Sequence, residues 1–243
     1  MALSPETHAR LRDVSTATLT TQLFKRGLRN CYIQGVRALG PFALPSQRGA
    51  MVGPAFTLRF IPAREDLDHL GVFADPLHPQ RHAIETIPTG HVLTIDCRGD
   101  KSAASAGQIL VTRLMKRGAA GLVSDGGIRD AGPIAEIGFP VFCAGPSAPL
   151  NLVRHHAIDI NVPIGCGGVA VYPGDILVGD ADGVVVIPAG IADEVARDAA
   201  EQEQLETFLL DRIAAGATLP GTYPPNEETR AAYEAWRQGR RHT

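Results

Sequence analysis

Arg129 and Asp130 stand side by side at the end of the stretch GLVSDGGIRD (121–130), just past the glycine pair Gly126-Gly127. A guanidinium offers a planar fork of donors that matches a carboxylate and stays charged at any working pH. An aspartate is a hard oxygen ligand suited to magnesium or manganese, which keep several waters and need only one or two protein carboxylates. Adjacent loop residues of these two types can therefore meet one small oxo acid, the cation chelating its oxygens and the guanidinium gripping its carboxylate. Glycines ahead of them allow φ > 0 or a close approach of the main chain to a ligand. The same stretch also reads as an ordinary strand-end turn carrying a surface ion pair, so the rest of the chain has to choose.

A second chemistry-bearing stretch is Ser105-Ala106-Gly107-Gln108-Ile109-Leu110. If a helix begins near Gly107, its free N–H groups form an anion site. If the helix starts earlier, at Ser102, Gly107 is an interior glycine, and periodicity allows both. The elements around these stretches read as strand HVLTIDC, helix-period segment SAASAGQILVTRLMKRG, strand AAGLVSD, a short helical AGPIAEIG and strand FPVFCAG. That rhythm over 91–143 predicts a local parallel βαβ unit. Loops that follow neighbouring parallel strands share one sheet edge, which would turn the Gly107 and Arg129 loops toward a single pocket.

Outside this unit, Ser4 and Ser15 are the expected caps of two N-terminal helices, the second closing at Lys25-Arg26-Gly27. AFTLRFI (55–61) reads as a strand, and 62–90 as loop with one short helix. After residue 157 come short β segments, AIDINVPI, GGVAVYPGD, ILVGDADG and VVVIP, then a long helix over 189–215 ending at Gly216. Residues 1–216 are expected to form one domain and 217–243 a C-terminal arm. The arm's helix should be capped by Asn226 and carry Tyr233 and Trp236 on one face, packing on its own body or on a neighbouring subunit.

Whole-chain properties narrow the classes. The 243 residues are 44% hydrophobic and 20% charged, enough to bury a substantial core. A net charge of −3 gives no basic face for nucleic acid. No window approaches the roughly 20 apolar residues of a membrane span. The N-terminus lacks the apolar core of a signal peptide, and the four cysteines are scattered without metal-ligand spacing. A soluble cytoplasmic protein with reduced thiols is expected.

The remaining motifs carry less chemistry. GCGG (165–168) is not a phosphate-cradling fingerprint and reads as tight-turn glycines, and Cys166 within it has no basic neighbour to activate it. His78 and His82 have the spacing of a helical metal pair, but Pro79 intrudes. His155-His156 reads as surface. Glu201, Glu203 and Glu206 on the last long helix read as a solvated acidic face.

Taken in order, STATLTTQL (15–23), the glycine at 107 opening a helix that ends Arg117-Gly118, AGLVSDGGIRD, PVFCAGPSAP and PGDILVGDADGVVVIP resemble the ribonuclease-activity-regulator-A-like family over about residues 15–216. That family includes the class II 4-hydroxy-4-methyl-2-oxoglutarate aldolases and oxaloacetate decarboxylases. The resemblance implies an α/β fold, a β/β/α swivelling-domain-type sandwich here followed by a C-terminal helical extension, assembled as a homotrimer or homohexamer. It implies a divalent metal, Mg2+ or Mn2+, held by Asp130, with Glu206 of a neighbouring subunit acting through water and Glu203 the second choice. Arg129 would bind the carboxylate of a pyruvate-like moiety and offset enolate charge. Gly107, Gln108, Ile109 and Leu110 would line the carboxylate cradle. Where the aldolases carry an acid, this chain has Gln108, whose amide can hydrogen-bond water but cannot serve as a general base near neutral pH. The expected activity is carbon–carbon cleavage of a 2-oxo acid through a pyruvate enolate, by decarboxylation or retro-aldol cleavage. The alternative the family offers is a non-catalytic regulator that binds a ribonuclease or helicase.

Overall fold

The strand–helix rhythm over 91–143 folds as four parallel strands that end beside the Arg129 loop. The computed structural model describes residues 3–43 and 51–240. In chain order these form helices α1 (Pro5–Asp13) and α2 (Thr16–Lys25), strands β1 (Arg37–Ala38) and β2 (Met51–Pro62), α3 (Pro79–Thr86), β3 (Val92–Asp96), β4 (Ala104–Ala106), α4 (Gln108–Lys116), β5 (Gly121–Ile128), α5 (Ala131–Glu136) and β6 (Val141–Pro146). Then follow β7 (His155–Ile160), β8 (Ile164–Cys166), β9 (Val169–Val171), β10 (Ile176–Gly179), β11 (Val184–Ile187), α6 (Ala192–Ala214), α7 (Leu219–Thr222) and α8 (Glu227–Arg240).

The main sheet runs β1-β6-β5-β3-β2-β10-β11, with β7 also on β2 and β4 on β5. Strands β2, β3, β5 and β6 are parallel, while β1, β7, β10 and β11 join antiparallel. Every residue of β5 is buried, as expected of a parallel strand covered on both faces. Helices α3, α4 and α5 cover one face through Ile84, Ile87, Val111, Leu114 and Ile134. On the opposite face the β8–β9 hairpin supplies Ile164, Val169 and Val171 against Val123, Phe142 and Leu177. A third apolar layer joins α1, α2 and α6 to β10 and β11 through Leu11, Leu19, Leu23, Val178, Val185 and Val195. The architecture is mixed α/β, with a curled sheet between helical layers. No helix among the described residues is long and apolar enough to cross a membrane.

Local signals account for most element ends. Ser4 and Ser15 accept the N–H groups of Thr7 and Thr18, and Asn226 accepts that of Thr229 at 2.9 Å. Gly167 and Gly168, both at positive φ, make the two-residue turn of the β8–β9 hairpin. Burial pushes the Cys166 thiol well up, so it is inert packing. The C-terminal arm lies on α6, where Tyr233 and Trp236 each stand 5.6 Å from the Phe208 ring.

Three expectations need correction. The AIDINVPI segment is not one strand: β7 starts at His155 and ends at Ile160, and Ile164 already belongs to the hairpin. His155 is fully buried, stacked 5.5 Å from Phe60, rather than on the surface. Pro79 opens α3 instead of interrupting it, because a proline at the first helical position loses no hydrogen bond.

The glycine pair also has a different cause from the one expected. Neither Gly126 nor Gly127 takes a positive φ. A Cβ on Gly126 would stand 2.5 Å from Cys97 Sγ, and one on Gly127 would stand 2.5 Å from Ser147 Cβ. The close approach is therefore to the protein's own packing, not to a ligand. Beside them Asp125 is buried and accepts the N–H groups of Cys97, Gly99 and Gly167, pinning the loop after β3 and the hairpin to β5. Gly126→Ala is expected to destabilise the fold by about 1–3 kcal/mol through overpacking, measured by urea unfolding.

Candidate active site

Helix α4 begins at Gln108, with Gly107 as its cap residue in extended geometry. The earlier start at Ser102 is excluded, because Ala104–Ala106 is spent as β4, paired in parallel with the far end of β5. Gly107 offers no side-chain cap. The N–H groups of Ile109 and Leu110, in the first turn, have no carbonyl one turn back to meet. Ile109 itself is 85% exposed, so this helix end faces open space.

The β5–α5 loop meets that helix end directly. Arg129 N–H donates to the Ala106 carbonyl at 3.0 Å. Gln108 N–H donates to Asp130 Oδ2 at 3.1 Å. Asp130 sits in the left-handed region at φ +57°, a conformation that aspartate and asparagine enter more readily than most residues. That twist turns its carboxylate away from capping α5 and toward α4. Gly107 makes room for it: a Cβ there would stand 3.0 Å from Asp130 Oδ2 and 3.5 Å from Arg129 Cβ. Behind the loops, the Ser105 hydroxyl lies 2.8 Å from that of Ser124 and 3.0 Å from the Gly127 carbonyl, tying β4 to β5.

A cavity of about 340 Å³ opens over this junction, and Gly107, Gln108, Ile109, Leu110, Arg129 and Asp130 all line it. The structure thus gathers these residues at one mouth. Further lining comes from Phe73, Gln80 and Arg81 between β2 and β3, and from Leu150 and Asn151 after β6. Burial lowers the basicity of Arg81, and burial together with the Arg81 charge lowers that of His78. A polar, proline-interrupted stretch at 62–90 carried no spacing that singles out Arg81, and Asn151 had no signal at all.

The acidic residues of α6 lie elsewhere in the protomer. Glu203 is engaged with α2, accepting from Ser15 N–H at 2.9 Å and from the hydroxyls of Ser15 and Thr18 at 2.6 and 2.8 Å. It acts there as a negative cap on a helix N-terminus. Glu206 accepts from Gln202 at 2.7 Å and lines separate surface cavities with Leu210 and Tyr223. Glu201 pairs with Arg237 of α8.

The donor set at Asp130 fits a hard divalent cation. One carboxylate oxygen is held by Gln108 N–H, the residue is exposed at the cavity mouth, and the space before it is kept open by Gly107. Among the described residues no group of three or more His, Cys, Asp or Glu gathers as a closed metal cage. A single carboxylate with open positions suits magnesium or manganese rather than structural zinc.

Comparison with known proteins places the chain in a lineage. The family model RraA-like, described as Aldolase/RraA, matches residues 14–186. A protein of Halalkalibacterium halodurans named "Putative 4-hydroxy-4-methyl-2-oxoglutarate aldolase" is 36% identical over 174 residues, covering 70% of this chain and 77% of that protein. Among solved structures, Streptomyces coelicolor RraAS2, described as an unusual member of the RNase ES inhibitor RraA protein family, is 33% identical with a TM-score of 0.71. The match covers 86% of this chain and 97% of that one. An uncharacterized protein from Pseudomonas syringae pv. tomato superposes with a TM-score of 0.76 at 25% identity, over 92% of this chain and 99% of that one. With the family model spanning most of the chain and a one-third-identical structure matched almost end to end, this chain belongs to the RraA-like aldolase/RraA family.

Proposed function

We propose that the protein is a divalent-metal-dependent lyase that cleaves a carbon–carbon bond of a 2-oxo acid through the enolate of pyruvate. The observation that carries this reading is the junction of two loops: Arg129, Asp130 and the open first turn of α4 converge on one cavity, with Asp130 held by Gln108 N–H. The aldolase names borne by relatives agree with it at the level of the family.

In this reading Asp130 holds Mg2+ or Mn2+, which supplies Lewis-acid stabilisation of negative charge on the substrate's oxygens. Arg129 binds the substrate carboxylate and stands beside the keto oxygen where charge develops. The N–H groups of Ile109 and Leu110, at the positive end of α4, add donors to the same carboxylate. Because these donors are fixed by the backbone, they need no reorganisation as charge builds up. Gln108 orients water through its amide without taking a proton. Loss of carbon dioxide from a 2-oxo acid needs no base to begin, so decarboxylation is the reaction Gln108 tolerates better. Assembly as a homotrimer or homohexamer would let Glu206 of a neighbouring subunit complete the site, in a cytoplasmic protein without nucleic-acid or membrane partners.

Two points favour a second reading, a non-catalytic regulator: by the family resemblance Gln108 stands where the aldolases carry an acid, and the S. coelicolor relative is described as a member of a family of ribonuclease inhibitors. Pyruvate release from oxaloacetate and from 4-hydroxy-4-methyl-2-oxoglutarate separates the two. With magnesium or manganese, and after subtraction of the rate with free metal alone, release is expected to rise in proportion to protein and to vanish with chelator. No release above the free-metal rate from either compound would favour the regulator.

A further inference from the structure

The meeting of Asp130 with the first turn of α4 depends on a serine that touches neither the cavity nor solvent. Strand β4 is three residues long, and its register against β5 is broken between Ala104 and Ala106. Ser105 sits at that break with no exposed surface. Its hydroxyl donates to the Gly127 carbonyl at 3.0 Å and stands 2.8 Å from the Ser124 hydroxyl. Ser124 is fully buried as well, and accepts the Gly126 N–H at 3.1 Å. From the other side the Gln80 amide, on a side chain that is 2% exposed, donates to the Ser105 carbonyl at 2.6 Å. Elements α3, β4 and β5 thus meet through one residue, in a buried network whose bonds are strong because no water competes for them.

What Ser105 fastens is short. Its own strand reaches Gln108 three residues on, and the facing strand runs from Gly127 to Asp130 over the same three steps. The two arms are joined at their base by the Ser105 hydroxyl on the Gly127 carbonyl. Midway Arg129 N–H donates to the Ala106 carbonyl, and at the tip Gln108 N–H donates to Asp130 Oδ2. Holding one carboxylate oxygen fixes the direction of the other. If the base loosens, the tip gains freedom, and a ligand that must be ordered as it binds gives weaker binding.

We infer that Ser105 is a positioning residue, whose hydroxyl sets the place of the Asp130 carboxylate and through it the affinity of the site for its cation. The inference rests on the reading of Asp130 as the residue that holds the metal. It asks nothing of the substrate, so it applies equally to decarboxylation and to retro-aldol cleavage. Alanine fills the same space without the bond, so that substitution isolates the hydroxyl.

The test is Mn2+ titration of the full-length protein by electron paramagnetic resonance, beside Gln108 amide exchange read by NMR without metal. Ser105→Ala is expected to bind Mn2+ about 10-fold more weakly, the loss usual for an outer contact of a metal ligand, and to exchange the Gln108 amide faster. Ser105→Cys keeps a weaker donor of similar size; it is expected to fall between serine and alanine, and it stands in if alanine does not fold. Val195→Ala, a cavity in the distant apolar layer of α6, is expected to lower the unfolding midpoint while leaving Mn2+ affinity unchanged. Folded Ser105 variants with the intact protein's Mn2+ affinity and Gln108 exchange would overturn the role of Ser105, as would a loss of affinity that Val195→Ala matches. Absence of Mn2+ binding by the intact protein itself would overturn the metal reading of Asp130, and this inference with it.

Discussion

Arg129→Ala is expected to lower kcat/KM for pyruvate release by about 100- to 1000-fold, the loss that follows removal of one fixed donor from a developing oxyanion. Arg129 is exposed at the cavity mouth, and its backbone N–H is already satisfied by the Ala106 carbonyl. Truncating the side chain therefore leaves the loop's main-chain bond in place. A coupled lactate dehydrogenase assay reads the activity, and circular dichroism checks that the fold is retained. Arg129→Lys should recover only part of the loss, since an ammonium keeps the charge but not the planar fork. An alanine variant with unchanged kcat/KM would remove Arg129 from the chemistry.

The second large effect belongs to Asp130, where the choice of substitution matters. Alanine at φ +57° costs about 1–2 kcal/mol of backbone strain, so its consequences mix folding with function. Asparagine tolerates the left-handed conformation and can still accept the Gln108 N–H, yet it lacks the charge that a hard cation requires. Asp130→Asn is therefore expected to keep the unfolding midpoint of the parent. Its Mn2+ affinity should fall by at least about 10- to 100-fold, the cost usual for disturbing even the outer contacts of a metal ligand. Manganese titration by electron paramagnetic resonance measures this without relying on turnover. Undiminished Mn2+ binding by Asp130→Asn would move the metal away from this residue.

The parallel unit over 91–143 was legible because its signals are local. Apolar runs short enough for buried strands alternate with a helix closed by Lys116-Arg117-Gly118 and with turn residues between them. The caps at Ser4, Ser15 and Asn226 were legible for the same reason, since each bonds a backbone group three residues away. His155 was misread because two adjacent histidines look polar in sequence, whereas β7 lies against β2 and turns one ring onto Phe60. The glycine pair was misread in cause: only the folded chain reveals that Cys97 and Ser147 occupy the space a Cβ would need.

By itself the sequence determined the two stretches, because residue type and spacing are local quantities: Arg129 beside Asp130, and a glycine at 107 near the start of a helix whose first residue only the β4–β5 pairing decides. The tertiary structure decided what those loops do together. Pairing of β4 with β5 brings Asp130 to the N–H of Gln108 across a sequence separation that periodicity cannot bridge. The same folding brings Arg81 and Asn151, from segments on either side of the central strands, into the lining of the cavity that Arg129 shares. A cavity wall is assembled from residues distant in the chain, so its charge is a property of the packed protein rather than of any stretch within it.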